Sequence, residues 1–127
     1  ADRILADGVA AFLDDWLERP LTATAAVDER ARKLDRAIRE DNAADGLAAA
    51  LLGLGQGVFP YLGDRLGELA VPLLTVAGGK DERYSQLAVT MAAAVPDGQS
   101  RVLYGIGHNV VLEAPEQLAA MVDGFLS

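Results

Sequence analysis

Between Val71 and Phe125 the chain alternates strand and helix twice, and each strand runs out into a loop carrying a residue that can hold or move a proton. Leu73 to Ala77 is a continuous apolar run leading into Gly78-Gly79-Lys80-Asp81, and such a run suits a strand covered on both faces. Tyr84, Leu87, Ala88, Met91, Ala92 and Val95 then recur at helical spacing until the turn Pro96-Asp97-Gly98. Arg101 to Gly105 returns as a second strand and ends in Gly105-Ile106-Gly107-His108. Strand, crossover helix and strand make a βαβ unit with parallel strands. In open parallel sheets ligands bind in the crevice beyond the carboxyl ends of the strands, which is where Asp81 and the sole histidine, His108, both fall.

A carboxylate in that position can accept an imidazole N–H, fix the tautomer, and stabilise the imidazolium formed when the other ring nitrogen takes a proton. Taken alone, a single histidine suits a structural role, and Lys80-Asp81-Glu82-Arg83 suits a solvated loop capping the next helix. The pairing of the two loops favours catalysis, with Glu82 as a second candidate for the carboxylate. Asp81 and His108 would supply two members of a Ser-His-Asp triad. The third, a serine on a tight strand-to-helix turn, is written G-x-S-x-G, and no such motif occurs in the 127 residues. Neither Ser85 nor Ser100 fits that elbow. The chain therefore reads as the C-terminal part of a larger enzyme.

Upstream of a breaker-rich stretch from Gly53 to Pro60, only helices are expected. The first places Leu5, Val9, Phe12, Leu13, Trp16 and Leu17 on one stripe and is stopped by Pro20. A densely charged second helix, about Asp28 to Glu40, has Leu34 and Ile38 as its main apolar contacts and lies on the surface. A third runs from about Asp45 to Leu52, with Asp45 or Asn42 as its N-terminal cap. Residues 1–57 thus read as a helical cap and 58–127 as a segment of an α/β core. That segment opens with a short helix bearing Tyr61, Leu62, Leu66 and Leu69. It closes with one that starts at Pro115 and carries Leu118, Met121, Val122, Phe125 and Leu126 inward. Two strands alone make a poor sheet, so partner strands from outside the sequence are expected.

Composition removes several classes of function. A net charge of -8 and a pI near 4.4 argue against a nucleic-acid partner, whose phosphates call for clustered lysine and arginine. No apolar run approaches the ~20 residues that span a bilayer. The absence of cysteine precludes disulfides and thiolate metal sites and fits a reducing compartment, so a cytoplasmic location is expected.

Val71-Pro72-Leu73-Leu74-Thr75-Val76-Ala77-Gly78-Gly79-Lys80-Asp81, Gly105-Ile106-Gly107-His108-Asn109 and Leu112-Glu113-Ala114-Pro115-Glu116 together resemble the C-terminal half of the α/β-hydrolase-fold superfamily. The helical part is similar to the cap of the MenH family, the 2-succinyl-6-hydroxy-2,4-cyclohexadiene-1-carboxylate synthases of the menaquinone pathway. The residues that carry this likeness are Phe12-Leu13-Asp14-Asp15-Trp16, Arg19-Pro20-Leu21, Ala37-Ile38-Arg39, Asn42 and Gly46 to Leu51. The resemblance implies a lyase that eliminates pyruvate from an acidic cyclohexene precursor, with a triad as base and no metal or organic cofactor. It makes His108 the proton relay and Asp81 its orienting carboxylate. It also sets Arg39 against a substrate carboxylate and Trp16 in the pocket wall. From the residues alone, Arg39 reads as a solvated helix charge and Trp16 as a core anchor. The serine and the oxyanion-hole loop lie outside the sequence, and Gly79-Lys80 stands where many relatives have glycine followed by an acid. Two other readings stay open: a serine esterase or carbon–carbon bond hydrolase, and a non-catalytic module that needs a partner chain.

Overall fold

The computed structural model describes residues 1–19, 27–55 and 57–127, so Pro20, expected to stop the first helix, lies outside the described residues. The chain forms two compact units, Ala1–Pro60 and Tyr61–Ser127.

The first unit contains α1 (Asp2–Trp16), α2 (Glu29–Glu40) and α3 (Ala44–Leu54). α1 is broken at Gly8, whose φ of 83° and ψ of 168° are open to glycine and strained for a side chain. The break changes the face that each turn presents. Ile4 is fully buried with Val9 and Leu13, against Phe12, Leu17, Ala44 and Leu47, while Leu5, expected on the apolar stripe, is exposed. Burying a side chain such as Ile4 stabilises a fold by roughly 1.5–3 kcal/mol.

α2 starts where Asp28 accepts hydrogen bonds from the backbone N–H groups of Arg30 and Ala31, at 2.9 and 3.1 Å. Its flank is laced by Glu29–Lys33, Asp35–Arg39 and Arg36–Glu40 ion pairs at helical spacing. Arg36 also reaches Asp14 of α1 at 2.7 Å, and the hydrogen bonds it donates to Asp14 and then Glu40 hold its guanidinium above its usual pKa. α2 buries no residue, so Leu34 and Ile38 are exposed rather than the contacts expected of them. Neither expected cap starts α3. The Asn42 amide donates to the carbonyls of Ile38 and Arg39 and so closes α2, while Asp45 accepts from Gly46 N–H one residue on.

In the second unit a 3₁₀ turn, Gly63–Glu68, leads to β1 (Leu73–Gly78), α4 (Glu82–Ala94), β2 (Gly98–Leu103), α5 (Val110–Glu113) and α6 (Pro115–Leu126). β1 and β2 pair in parallel, from Leu73 opposite Gly98 to Gly78 opposite Leu103. β2 therefore begins three residues before the expected strand, because Leu73 N–H already bonds to the Asp97 carbonyl. Alternation along β1 sets the layers. The Thr75 hydroxyl donates to the Ala88 carbonyl of α4, while Val76 joins Leu103, Ile106, Val110, Ala114, Leu118 and Met121 beneath α5 and α6. Leu73 to Val76 are only half-buried, since β2 is the one strand beside them among the described residues. Tyr61, Leu62, Leu69, Val122 and Leu126, expected to pack, are exposed.

Candidate active site

The carboxyl ends of the two parallel strands are stitched together before either functional side chain is reached. Gly79 N–H donates to the Leu103 carbonyl at 2.8 Å and Lys80 N–H to the Ile106 carbonyl at 2.9 Å, so the loop after β1 is tied to the loop after β2. Asp81 then turns the chain, its own N–H bonded to the Gly78 carbonyl, and caps α4 with Oδ1 accepting from Tyr84 N–H at 3.0 Å. The cap holds the carboxylate in one orientation. Oδ2 is left to face the other loop, where it meets His108 Nδ1 at 2.5 Å.

This is a short, charge-assisted contact. An ionised carboxylate only accepts, so Nδ1 carries the proton, and in the neutral imidazole Nε2 carries the lone pair. The two partners differ in exposure: the Asp81 side chain is 8% accessible and that of His108 34%. A sheltered carboxylate therefore orients an imidazole whose remaining nitrogen can reach a reacting group. The arrangement can take a proton at Nε2 and stabilise the resulting cation from Nδ1.

Four further residues surround the pair. The Tyr84 ring packs edge-on against the imidazole, with centroids 4.7 Å apart and planes at 67°. Gly107 N–H, one residue before His108, donates to Glu113 Oε2 at 2.7 Å. Asn109, one residue after it, caps α5 by accepting from Leu112 N–H at 3.2 Å. Sequence reasoning placed Tyr84 on a packing stripe and gave Glu113 and Asn109 no task. The one available signal was an aspartate at the head of a helical stripe, which suits an N-cap.

Asp81, not Glu82, is the carboxylate that meets His108; Glu82 is exposed on the first turn of α4. Trp16 and Arg39 belong to the first unit. The Trp16 ring stacks on Phe12 with centroids 5.5 Å apart, and the Arg19 guanidinium lies 5.4 Å from its centre. Arg39 Nε is held at 2.7 Å by Asp35, one turn earlier on the same helix. Among the described residues no cluster of His, Asp and Glu could hold a metal ion, and no helix is long and apolar enough to cross a membrane.

A parallel βαβ unit with an acid beyond its first strand, a histidine beyond its second and helices flanking the sheet defines the C-terminal half of an α/β-hydrolase fold. Within that superfamily the chain is similar to the MenH proteins. It is 33% identical over its full length to a Bacillus subtilis (strain 168) protein provisionally named 2-succinyl-6-hydroxy-2,4-cyclohexadiene-1-carboxylate synthase. Over 99% of its length it is 33% identical to the Serratia proteamaculans (strain 568) protein of that name. The solved structure of S. aureus MenH superposes on 98% of the chain with a TM-score of 0.94 at 29% identity. In each comparison the chain spans about half of its relative, 47% of its length. No family model matches the chain.

Proposed function

We propose that this chain supplies the histidine and the orienting carboxylate of a MenH-like lyase site, completed by a serine from residues outside the sequence. The observation that carries this reading is the Asp81–His108 pair at the carboxyl ends of two parallel strands, in a chain whose relatives are named as cyclohexadiene carboxylate synthases. His108 Nε2 takes the serine proton while Asp81 stabilises the imidazolium. The activated oxygen then removes a proton from the substrate, and the electrons of that C–H bond form a new double bond. The bond to the three-carbon leaving group breaks with its electron pair on the departing enolate, which takes up a proton to become pyruvate. General-base catalysis of this kind contributes ~10²–10⁴ in rate.

The substrate is an anionic cyclohexene carboxylate. Arg39 faces one of its carboxylates, because a guanidinium can grip a carboxylate through two parallel hydrogen bonds, and Trp16 contributes an apolar wall. The reaction needs no metal or organic cofactor and proceeds in the cytoplasm. The partner this reading requires is the other half of the fold, and the 127-residue chain alone is inactive.

The test is pyruvate release from the menaquinone precursor by the chain joined to an upstream MenH half, in wild type and in His108→Ala. Turnover that disappears with His108 supports the lyase. His108-dependent cleavage of simple esters without pyruvate release, through a trapped acyl-serine, would move the site to ester hydrolysis. Turnover by the pure 127-residue chain would overturn the requirement for a second half.

A further inference from the structure

Glu113 is a half-buried carboxylate that the proposed reaction leaves without a task, and it sits one short helix away from the proton-handling histidine. Its Oε2 accepts from the N–H of Gly107 at 2.7 Å, six residues back along the chain. The segment between them runs through His108 and the single turn of α5. The hydrogen bond thus closes a small ring of backbone around the histidine. The rest of that ring is fixed from inside, since Asn109 accepts from Leu112 N–H and Glu113 N–H bonds to the Asn109 carbonyl at 2.9 Å.

We infer that Glu113 is a positioning residue: it clamps the Gly107 amide and so sets the direction in which His108 offers Nδ1 to Asp81 and Nε2 to the reacting group. The physical reason is the location of the clamp. Residues before the clamp are tied to the neighbouring loop through the Ile106 carbonyl and Lys80 N–H, and residues after it are tied into α5. Gly107 is the link between those two anchored stretches, and its N–H is the donor nearest to the His108 backbone on the upstream side. A carboxylate acceptor makes this bond stronger than a neutral one would, which matters where no helix or strand ladder holds the backbone. Loss of the clamp frees rotation about the bonds leading into His108. A displacement of about 1 Å at a catalytic group can cost ~10²-fold in rate.

The inference rests on His108 acting as the proton carrier, so its test includes a readout that does not depend on which reaction occurs. Glu113→Gln and Glu113→Met are closely matched in length and both uncharged, but only glutamine keeps an acceptor. In the chain joined to its upstream half, the proton NMR signal of His108 Nδ1–H reports the Asp81 contact directly, and kcat and KM are measured beside it. The expected result in Glu113→Gln, which keeps a weaker neutral acceptor, is a retained Nδ1–H signal and a kcat reduced by less than about tenfold. In Glu113→Met the signal is shifted or lost, and kcat falls ~10²-fold with KM little changed.

A wild-type Nδ1–H signal in Glu113→Met would overturn the positioning role, whatever the activity. So would a Glu113→Met chain that fails to fold while Glu113→Gln folds, because the acceptor would then serve the fold rather than the histidine. A shifted signal with no pyruvate release even in the wild type would leave the clamp standing and sink the lyase reading instead.

Discussion

The Gly107 carbonyl occupies the space that a side chain on Gly78 would need. A Cβ built at Gly78 runs into that oxygen and comes within 2.5 Å of the Ile106 carbonyl oxygen, so the loop leading to His108 rests directly on the last residue of β1. This contact sets how close the histidine loop lies to the Asp81 loop.

Gly78→Ala therefore has to push the His108 loop off the strand end. Both obstructing atoms are backbone, which cannot rotate aside like a flexible side chain. The expected cost is about 1–3 kcal/mol in stability, measured by denaturant unfolding, as for other insertions into packed sites. In the chain joined to its upstream half, in which this and the following activities are measured, activity falls further than stability accounts for, since the displaced segment ends at His108. Unchanged kcat in a folded Gly78→Ala protein would show that the loop can move without disturbing the pair.

The two oxygens of Asp81 do different work, and substitution can separate them. Asparagine keeps an acceptor for Tyr84 N–H but can turn its amide N–H toward His108, which selects the wrong imidazole tautomer. Asp81→Asn is therefore expected to leave the melting temperature near wild type while kcat drops ~10²–10⁴-fold. Asp81→Ala loses the helix cap as well and should destabilise the protein by about 0.5–2 kcal/mol. Equal losses of stability in the two variants would show that Oδ1 is not the capping atom.

The βαβ order, the loop positions of Asp81 and His108 and the helices among the described residues before Gly53 were legible because strand runs, helical stripes and breakers are local signals. The break at Gly8 was not. Periodicity treats a helix as continuous, and one residue at positive φ rotated Leu5 out to solvent and Ile4 in. Asn42 was read as capping the helix after it, whereas its amide caps the helix before it. A short polar side chain between two helices can serve either, and the sequence does not choose. The Glu113 clamp was illegible for a related reason: it joins a side chain to a backbone amide, and backbone amides leave no mark in a sequence. Asp81 and His108 stood out because they are the chemically distinctive residues at matched places in a repeating pattern.

Tyr84 meets both members of the pair, with its amide on Asp81 and its ring against His108. The ring contact belongs to the aromatic carbons, so Tyr84→Phe should preserve it and keep kcat within about twofold of wild type, in the range of a contact worth a few tenths of a kcal/mol. Tyr84→Leu keeps the amide and removes the ring. Its expected signature is a kcat lowered several-fold with KM little changed and α4 intact by circular dichroism, because the imidazole loses a fixed neighbour. A wild-type kcat in Tyr84→Leu would assign the ring to packing alone.

In the first unit Asp15 is a carboxyl whose folded surroundings favour the ionised form. Hydrogen bonds from Arg19 and then Arg3, each at 2.8 Å, hold its carboxyl below the usual range. A depressed folded pKa means that protons bind the unfolded chain more readily. This contribution to stability is therefore complete above the unfolded value near ~3.9 and disappears as pH falls through the lower folded value. Unfolding midpoints from pH 6 down to about 2 should show an acid loss that Asp15→Asn removes in part. Added salt should shrink it, since the pair is exposed. An acid limb unchanged by Asp15→Asn would place the sensitivity elsewhere.

Arg39 offers the sharpest separation between a lyase for anionic substrates and a general ester hydrolase. Asp35 takes Nε, and the pair of terminal nitrogens is the edge a guanidinium uses to grip a carboxylate through two parallel bonds. If a substrate carboxylate is held there, Arg39→Lys retains the charge but loses the fork. Its KM for the cyclohexene carboxylate should then rise ~10-fold or more while kcat stays within a few-fold, the pattern of uniform binding lost from ground and transition states alike. A neutral nitrophenyl ester carries no such carboxylate, so its kinetic constants should not change. Asp35→Asn is the companion variant: it leaves the guanidinium in place, removes its fixed partner, and should raise KM by less than Arg39→Lys does. Equal effects of Arg39→Lys on the anionic and the neutral substrate would return Arg39 to an ordinary helix charge. They would also favour a pocket without a dedicated carboxylate site.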